Sequence, residues 1–269
     1  MKKIDIATDL RDLVDATRTH EQWRGRETIN LIASEGCPSP AVHEIYKMSE
    51  DLWHRYAEGE NDLKGYPKER HYQGQTYMSI VEKNSAELVK DLFGADFVDV
   101  RPISGTVANL ATFKGLSNAT HNSKMVVAPV NFGTHISHDY TGLAGQVVGL
   151  ETIDHAFDMT EMNIDPDESA KIIRAAKPGI ITFGGSLYLF PHPVKELADA
   201  AEEVGAFIVY DAAHVLGLLS GGEFQRPFKE GADFITASTH KTFPGPQGGI
   251  VLAKLEDEDG EISKKRRGA

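Results

Sequence analysis

One cysteine in 269 residues, Cys37, cannot form an internal disulfide, and no Cys-x-x-Cys pair is present to hold a structural zinc. Basic residues are outnumbered: Lys+Arg 28 against Asp+Glu 40 leave a formal net charge of −12. Nucleic-acid affinity rests on neutralising phosphates with Lys and Arg, so this balance argues against a nucleic-acid partner. No apolar run approaches a membrane span. Met1 to Asp9 mixes Lys2 and Lys3 with Asp5 and Asp9 around no apolar core, which fits neither a signal nor a transit peptide. Together these absences point to a reducing, cytoplasmic setting. Also missing are Gly-x-x-x-x-Gly-Lys-Ser/Thr, a helix-opening Gly-x-Gly-x-x-Gly and His-Glu-x-x-His, so ATP hydrolysis, nicotinamide chemistry and zinc proteolysis are poor fits.

What is present is enough chain to bury a substantial core, with 41% hydrophobic residues arranged in alternation. Short apolar runs predict strands at Phe97–Val100, Met125–Ala128, Gln146–Leu150, Ile180–Phe183, Phe207–Tyr210, Phe234–Ala237 and Ile250–Ala253. Most are apolar on both faces, the pattern of a covered, mostly parallel sheet. Helical patterns fall between them, at Ser79–Phe93, Thr106–Leu116, Asp167–Ala176 and Val194–Val204. The last follows Pro193 and stops at Gly205. The expected architecture is α/β, a seven-stranded mostly parallel sheet with helices on both faces, over residues 75–254. Residues 1–74 read as a helical start and a loop segment rich in Gly, Tyr, His and Arg. Residues 255–269 read as a charged, solvated tail, an acidic run followed by Lys264-Lys265-Arg266-Arg267.

Polar residues stand just past several strand ends, where ligands sit in such sheets. Ser238-Thr239-His240-Lys241 follows the strand at 234–237 and precedes Gly245, Gly248 and Gly249. A lysine there is placed for Schiff-base chemistry, because desolvation drives an amine toward its nucleophilic form; alone, it also reads as a loop lysine. Asp211, thirty residues earlier, closes the strand at 207–210 and leads into Ala212-Ala213-His214. A carboxylate at that depth could hold a proton on a pyridine nitrogen, or could simply cap the next helix. Ser104-Gly105-Thr106 forms a strand-to-helix turn that would present hydroxyls and N–H groups to a phosphate, or would serve as a plain cap. His135 and His138 stand three apart without a third ligand at metal spacing, so a buried or ring-stacking imidazole is favoured over a metal site.

These stretches, with Leu31-Ile32-Ala33-Ser34-Glu35, Tyr56-Ala57-Glu58-Gly59, Gly65-Tyr66-Pro67, Arg70-His71-Tyr72, Glu87 to Gly94 and Thr239-His240-Lys241-Thr242, resemble the serine hydroxymethyltransferase family over Leu31 to Lys254. The resemblance implies the large domain of a fold-type-I pyridoxal 5'-phosphate transferase. It implies that Lys241 carries the cofactor covalently, Asp211 pairs with its ring nitrogen and His135 stacks on its ring. Ser104, Gly105 and Thr106 would bind its phosphate; Ser186 and His214 would contact the ring hydroxyl and its surroundings; Ser238 and His240 would complete the cofactor contacts. Glu58 would handle protons near the substrate hydroxymethyl group, and Tyr72 would act in an active site shared across a homodimer. The implied reaction interconverts serine and glycine with a reduced pterin, of the tetrahydrofolate type, as one-carbon carrier.

The chain also departs from the family pattern. Gln247 replaces the arginine of Gly-Pro-Arg-Gly-Gly, His71-Tyr72 replaces paired tyrosines, Leu189 replaces a serine, and Glu60 to Lys64 are inserted. The family continues past the counterpart of Lys254 into a small domain whose arginine holds the substrate carboxylate, so that domain is expected to be absent here and turnover by the chain alone weak. Two other readings follow from these departures. One is a pyridoxal-phosphate β-hydroxy amino acid aldolase or transaldolase; the other is a non-catalytic or split partner subunit.

Overall fold

The computed structural model describes residues 6–48 and 75–254. The chain divides into two compact units, residues 1–35 and 36–269. In the first, α1 (Ile6–Gln22) carries Ile6, Leu10, Leu13 and Val14 on one stripe, and none of its residues is buried. Past it, Arg24 and Asn30 both donate to the Glu35 carboxylate, which ties down the Leu31–Glu35 turn.

The second unit is built on a seven-stranded sheet. In chain order its strands are β1 (Phe97–Asp99), β2 (Lys124–Val127), β3 (Glu151–Asp154), β6 (Ile180–Gly184), β7 (Phe207–Asp211), β8 (Phe234–Ser238) and β9 (Gly249–Ala253), and β4 (Phe157–Asp158) pairs with β5 (Asn163–Ile164) in a separate hairpin. The spatial order is β1-β9-β8-β7-β6-β2-β3. The run from β8 through β7, β6 and β2 to β3 is parallel, whereas β9 pairs antiparallel with both neighbours. Every residue of β6, β7 and β9 is buried, as their unbroken apolar runs require.

Side chains of these strands alternate between two cores. Ile180, Phe207 and Val209 join Phe113 and Leu116 of α4 (Gly105–Thr120) on one face. Ile181, Phe183, Ile208 and Tyr210 join Leu197, Ala200 and Ala201 of α6 (Val194–Val204) on the other. Two helices on opposite faces thus bury what a period of two lays out along each strand. Capping follows the sequence: the Ser104 side chain accepts from Val107 N–H at the start of α4, Asp165 accepts from Glu168 N–H at the start of α5 (Pro166–Ala176), and α6 ends at Gly205 in the left-handed region.

One expected strand is misplaced. Gln146–Leu150 lies mostly in a helical turn, Ala144–Val148, which Gly149 ends at φ +84, and the strand begins only at Glu151. As an edge strand with one neighbour, Glu151–Asp154 is half exposed and lacks the two-sided apolar signature that marks its neighbours. The helix α2 (Pro40–Met48) was not anticipated either, although Ser39-Pro40 is a cap followed by a first-turn proline. Its entry is pinned where Ser39 N–H donates to the Pro244 carbonyl at 3.0 Å, just beyond Lys241.

A buried histidine at the end of β3 makes the fold acid-sensitive. His155 stacks on Phe183 at 5.3 Å, and both of its ring nitrogens are fully buried, with only the Thr182 backbone acting to favour a proton there. Burial, helped by nearby His192, lowers its pKa from 6.5 to about 3. The unfolded chain therefore binds a proton near pH 6.5 that the folded chain refuses until about pH 3, and stability present above 6.5 is lost as pH falls through that window. Between pH 8 and 5 the loss from this group is about 2 kcal/mol. His155→Phe, which keeps a stacking ring, is expected to flatten the fall in urea midpoint over that range.

Candidate active site

The parallel strands deliver their carboxyl ends to one edge of the sheet, and the candidate residues gather there. Asp211 is the last residue of β7, Ser238 the last of β8, and Ser104 caps α4 beside them. One cavity, about 250 Å³ including its mouth, is lined by Gly105, Thr106, His135, Ser186, Asp211, His214, Ser238 and Lys241, together with Asn109, Gly185 and Ala213. Most of the residues singled out in the sequence thus meet in one place. Ser104 stands at the rim as the helix cap, while His240 turns away, its Nδ1 accepting from Gly248 N–H at 3.4 Å. Glu58 and Tyr72 lie outside the described residues. Gln247 and Leu189 are exposed and do not line the cavity.

Close backbone approach shapes the walls. A Cβ on Gly105 would come within 2.4 Å of Ser238 Oγ, so the first turn of α4 can lie against the end of β8 only as glycine. Gly184, at φ +83, closes β6, and a Cβ there would meet the Asp211 carbonyl oxygen at 2.0 Å. Gly184→Ala is expected to cost about 3 kcal/mol or more in chemical denaturation, since both the left-handed backbone and a rigid neighbour oppose it.

Charge is set by burial and by a hydrogen-bond network. Asp211 is buried, which by itself would raise its pKa, but donation from His138 Nε2 and Asn109 Nδ2 to Oδ2, each at 2.9 Å, and from Ala213 N–H to Oδ1, also at 2.9 Å, holds it down at about 2. Oδ1 keeps a lone pair for a further donor. Asn109 is itself fixed: its Oδ1 accepts from Thr236 Oγ1 at 2.6 Å and its Nδ2 also donates to Ser137 Oγ at 3.0 Å. Since Asp211 only accepts, His138 Nε2 must carry the hydrogen, and its buried Nδ1 has no partner among the described residues.

Lys241 Nζ lies 3.1 Å from His214 Nε2. Burial lowers the Lys241 pKa below its usual range, with the Asp211 charge opposing the shift. His214 falls to about 4, through burial first and the Lys241 charge second, so at neutral pH its Nε2 accepts a hydrogen bond from the amine. His135 is lowered by burial, and its Nδ1 accepts from Ser137 N–H at 3.2 Å, leaving the hydrogen on Nε2. His138 is the buried imidazole that the sequence allowed, while Asn109 and Thr236 are supports that sequence reasoning left without a role. The available signal was a lone Asn in the buried stripe of α4, because a buried amide in a helix needs side-chain partners.

These residues fit pyridoxal phosphate. They supply a half-buried amine of lowered basicity, a buried carboxylate ionised with a spare lone pair, and the N-terminus of a sixteen-residue helix opening on the same cavity.

Residues 7–267 match the family model described as serine hydroxymethyltransferase. A serine hydroxymethyltransferase of Pyrococcus horikoshii is 53% identical over 245 residues, covering 91% of this chain and 55% of the relative. One from Staphylothermus marinus is 45% identical over 256 residues, 95% of this chain and 56% of the relative; one from Metallosphaera sedula is 45% identical over 261 residues, 97% and 58%. The chain thus spans little more than half the length of the curated relatives it matches. With the family model covering nearly all of the chain and the candidate residues gathered at one strand edge, the chain belongs to the serine hydroxymethyltransferase family.

Proposed function

We propose that this chain is the cofactor-binding part of a pyridoxal-phosphate serine hydroxymethyltransferase, in which residues 75–254 form the cofactor domain and serine and glycine are interconverted with a tetrahydrofolate-type carrier. The observation that carries the reading is the pairing of Lys241 Nζ with His214 Nε2, 3.1 Å apart, in the cavity that also holds the Asp211 carboxylate. Bound there, pyridoxal phosphate supplies an electron sink for the bond broken at an amino acid's Cα.

The chain's own residues prepare the site for it. Burial keeps a share of Lys241 as free amine, the form that attacks a carbonyl carbon. His214, neutral at physiological pH, accepts a hydrogen bond from that amine and adds no competing positive charge. Asp211, ionised across the physiological range, would hold a proton on the ring nitrogen through the open lone pair of Oδ1. The first turn of α4, with Gly105 and Thr106 lining the cavity, would hold the phosphate, because the opening N–H groups of a helix have no intrahelical acceptor. His135 and Ser186 line the same cavity, where the imidazole would stack on the ring and the hydroxyl would meet the ring oxygen.

A homodimer with shared sites and a cytoplasmic setting complete the proposal; among the described residues no helix is long and apolar enough to cross a membrane. Family membership does not favour the aldolase reading. Borohydride reduction of the protein with pyridoxal phosphate, followed by peptide mass mapping, tests the assignment. A reduced adduct on Lys241 is the expected result; an unlabelled Lys241 at saturating cofactor overturns it.

A further inference from the structure

Behind the cavity wall, on the sheet face covered by α6, a buried polar cluster bonds the backbone of the segment that carries Ser186. The Gly184 N–H donates to His192 Nδ1 at 3.0 Å. The Gln225 amide then pairs with the backbone of His192 on both sides: His192 N–H donates to Oε1 at 2.9 Å, and Nε2 donates to the His192 carbonyl at 2.7 Å. Oε1 takes a second hydrogen bond from Tyr210 Oη at 2.9 Å, and Nε2 gives its second to Glu230 at 2.7 Å. All four hydrogen-bonding positions of the Gln225 amide are used, which fixes its orientation. Tyr210 spends its hydroxyl hydrogen on Gln225, so the Tyr188 hydroxyl, 3.1 Å away, donates to Tyr210.

Between Gly184 and His192 the segment is also held by the Asn163 amide, which donates to the Pro191 carbonyl at 2.8 Å, and by the Tyr188 ring, which packs against the core. The Ser186 and Leu187 N–H groups both donate to the Gly133 carbonyl, at 2.8 and 3.0 Å, while Leu187, Leu189 and Phe190 are exposed and bury little that could fix the path. His192 and Gln225 are buried, whereas Ser186 reaches the cavity. A buried imidazole that accepts from the Gly184 backbone, and a buried amide that spends two of its four hydrogen bonds on the His192 backbone, need a reason at the end of a segment whose Leu187, Leu189 and Phe190 are exposed, because apolar side chains would fill the same volume without desolvation cost.

We infer that His192 and Gln225 are positioning residues that act through the backbone of residues 184–192 to set Ser186 for the cofactor, without touching the cofactor themselves. The inference rests on the reading of Ser186 as a cofactor contact, and its test is built to fail separately from that reading. His192→Phe keeps the ring that packs on Tyr188 but removes the acceptor for Gly184 N–H; His192→Asn puts an amide oxygen back in the place of Nδ1.

In the full chain without cofactor, His192→Phe is expected to speed amide hydrogen exchange of a peptide spanning 185–191 by about 10-fold or more, with residues 180–183 unchanged. With pyridoxal phosphate it is expected to weaken affinity about 10-fold and shift the absorbance of the bound cofactor, and His192→Asn is expected to restore most of both. In a Ser186→Ala background the affinity loss is expected to vanish, since the two changes remove the same contact. Tyr188→Phe, a milder change at the edge of the cluster, is expected to move all readouts the same way by less, and serves if His192→Phe does not fold. Unchanged exchange at 185–191, or losses that multiply with Ser186→Ala, would overturn the inference. Failure to label Lys241 would instead overturn the proposed function and leave the cofactor-free exchange result standing.

Discussion

Lys241→Ala is expected to abolish the reducible cofactor adduct and to lower serine–glycine turnover, assayed in the complete enzyme, on the order of 10³-fold or more, as removal of a covalent catalyst does. Stability is expected to move the other way. Lys241 is half buried with its basicity lowered mainly by burial, so the folded state pays to hold an ammonium there, and alanine removes that cost. The expected direction is a rise in the urea midpoint, kept small because the site is partly screened by solvent. The Lys241 charge is also the second cause, after burial, of the low His214 pKa, so the His214 imidazole is expected to titrate higher in the variant. Proton NMR of its ring signals across pH 4–7 checks this. Unchanged His214 titration would mean that the 3.1 Å pairing does not persist in solution.

Asp211→Asn is the second large effect, and it acts on fold and chemistry together. Asp211 accepts from Asn109, His138 and Ala213. An amide has one oxygen, so whichever way it turns, its NH₂ faces a donor: Ala213 N–H on one side, or the Asn109 and His138 pair on the other. A buried donor left without an acceptor costs about 1–3 kcal/mol, and here at least one is left in either orientation. Loss of the carboxylate that would hold a proton on the ring nitrogen is expected to cost about 10²–10⁴ in turnover, the usual range for a positioned proton-handling group.

The stability deficit should itself depend on pH. The folded carboxyl sits at about 2 against an ordinary value of 3.8, so its contribution is complete above pH 4 and fades as pH falls toward 2. The gap between wild type and Asp211→Asn in unfolding free energy is therefore expected to shrink by about 2 kcal/mol over that window. A constant gap would show that the network does not hold the carboxyl down.

Much of this was legible in the chain itself. The strands at 180–184 and 207–211 announced themselves because a strand covered on both faces must be apolar at every position, and α6 because its proline, apolar stripe and glycine agree on the same boundaries. Lys241, Asp211 and the Ser104-Gly105-Thr106 turn stood out because each lies at or a few residues past a strand end, where a parallel sheet opens its ligand crevice. The strand at 151–154 was missed for the converse reason: an edge strand is half solvated, and its polar pattern resembles a loop.

The sequence by itself determined the alternation of strands and helices, the strand-end placement of the reactive groups and, through ordered motifs, the family. Only the tertiary structure decided what those groups are in chemical terms. That Asp211 is ionised depends on Asn109, 102 residues away, and on His138, 73 residues away. That His214 is neutral depends first on its burial and then on the charge of a lysine 27 residues on. Burial and hydrogen bonding set a pKa, and both are properties of neighbours in space that no local stretch of chain contains.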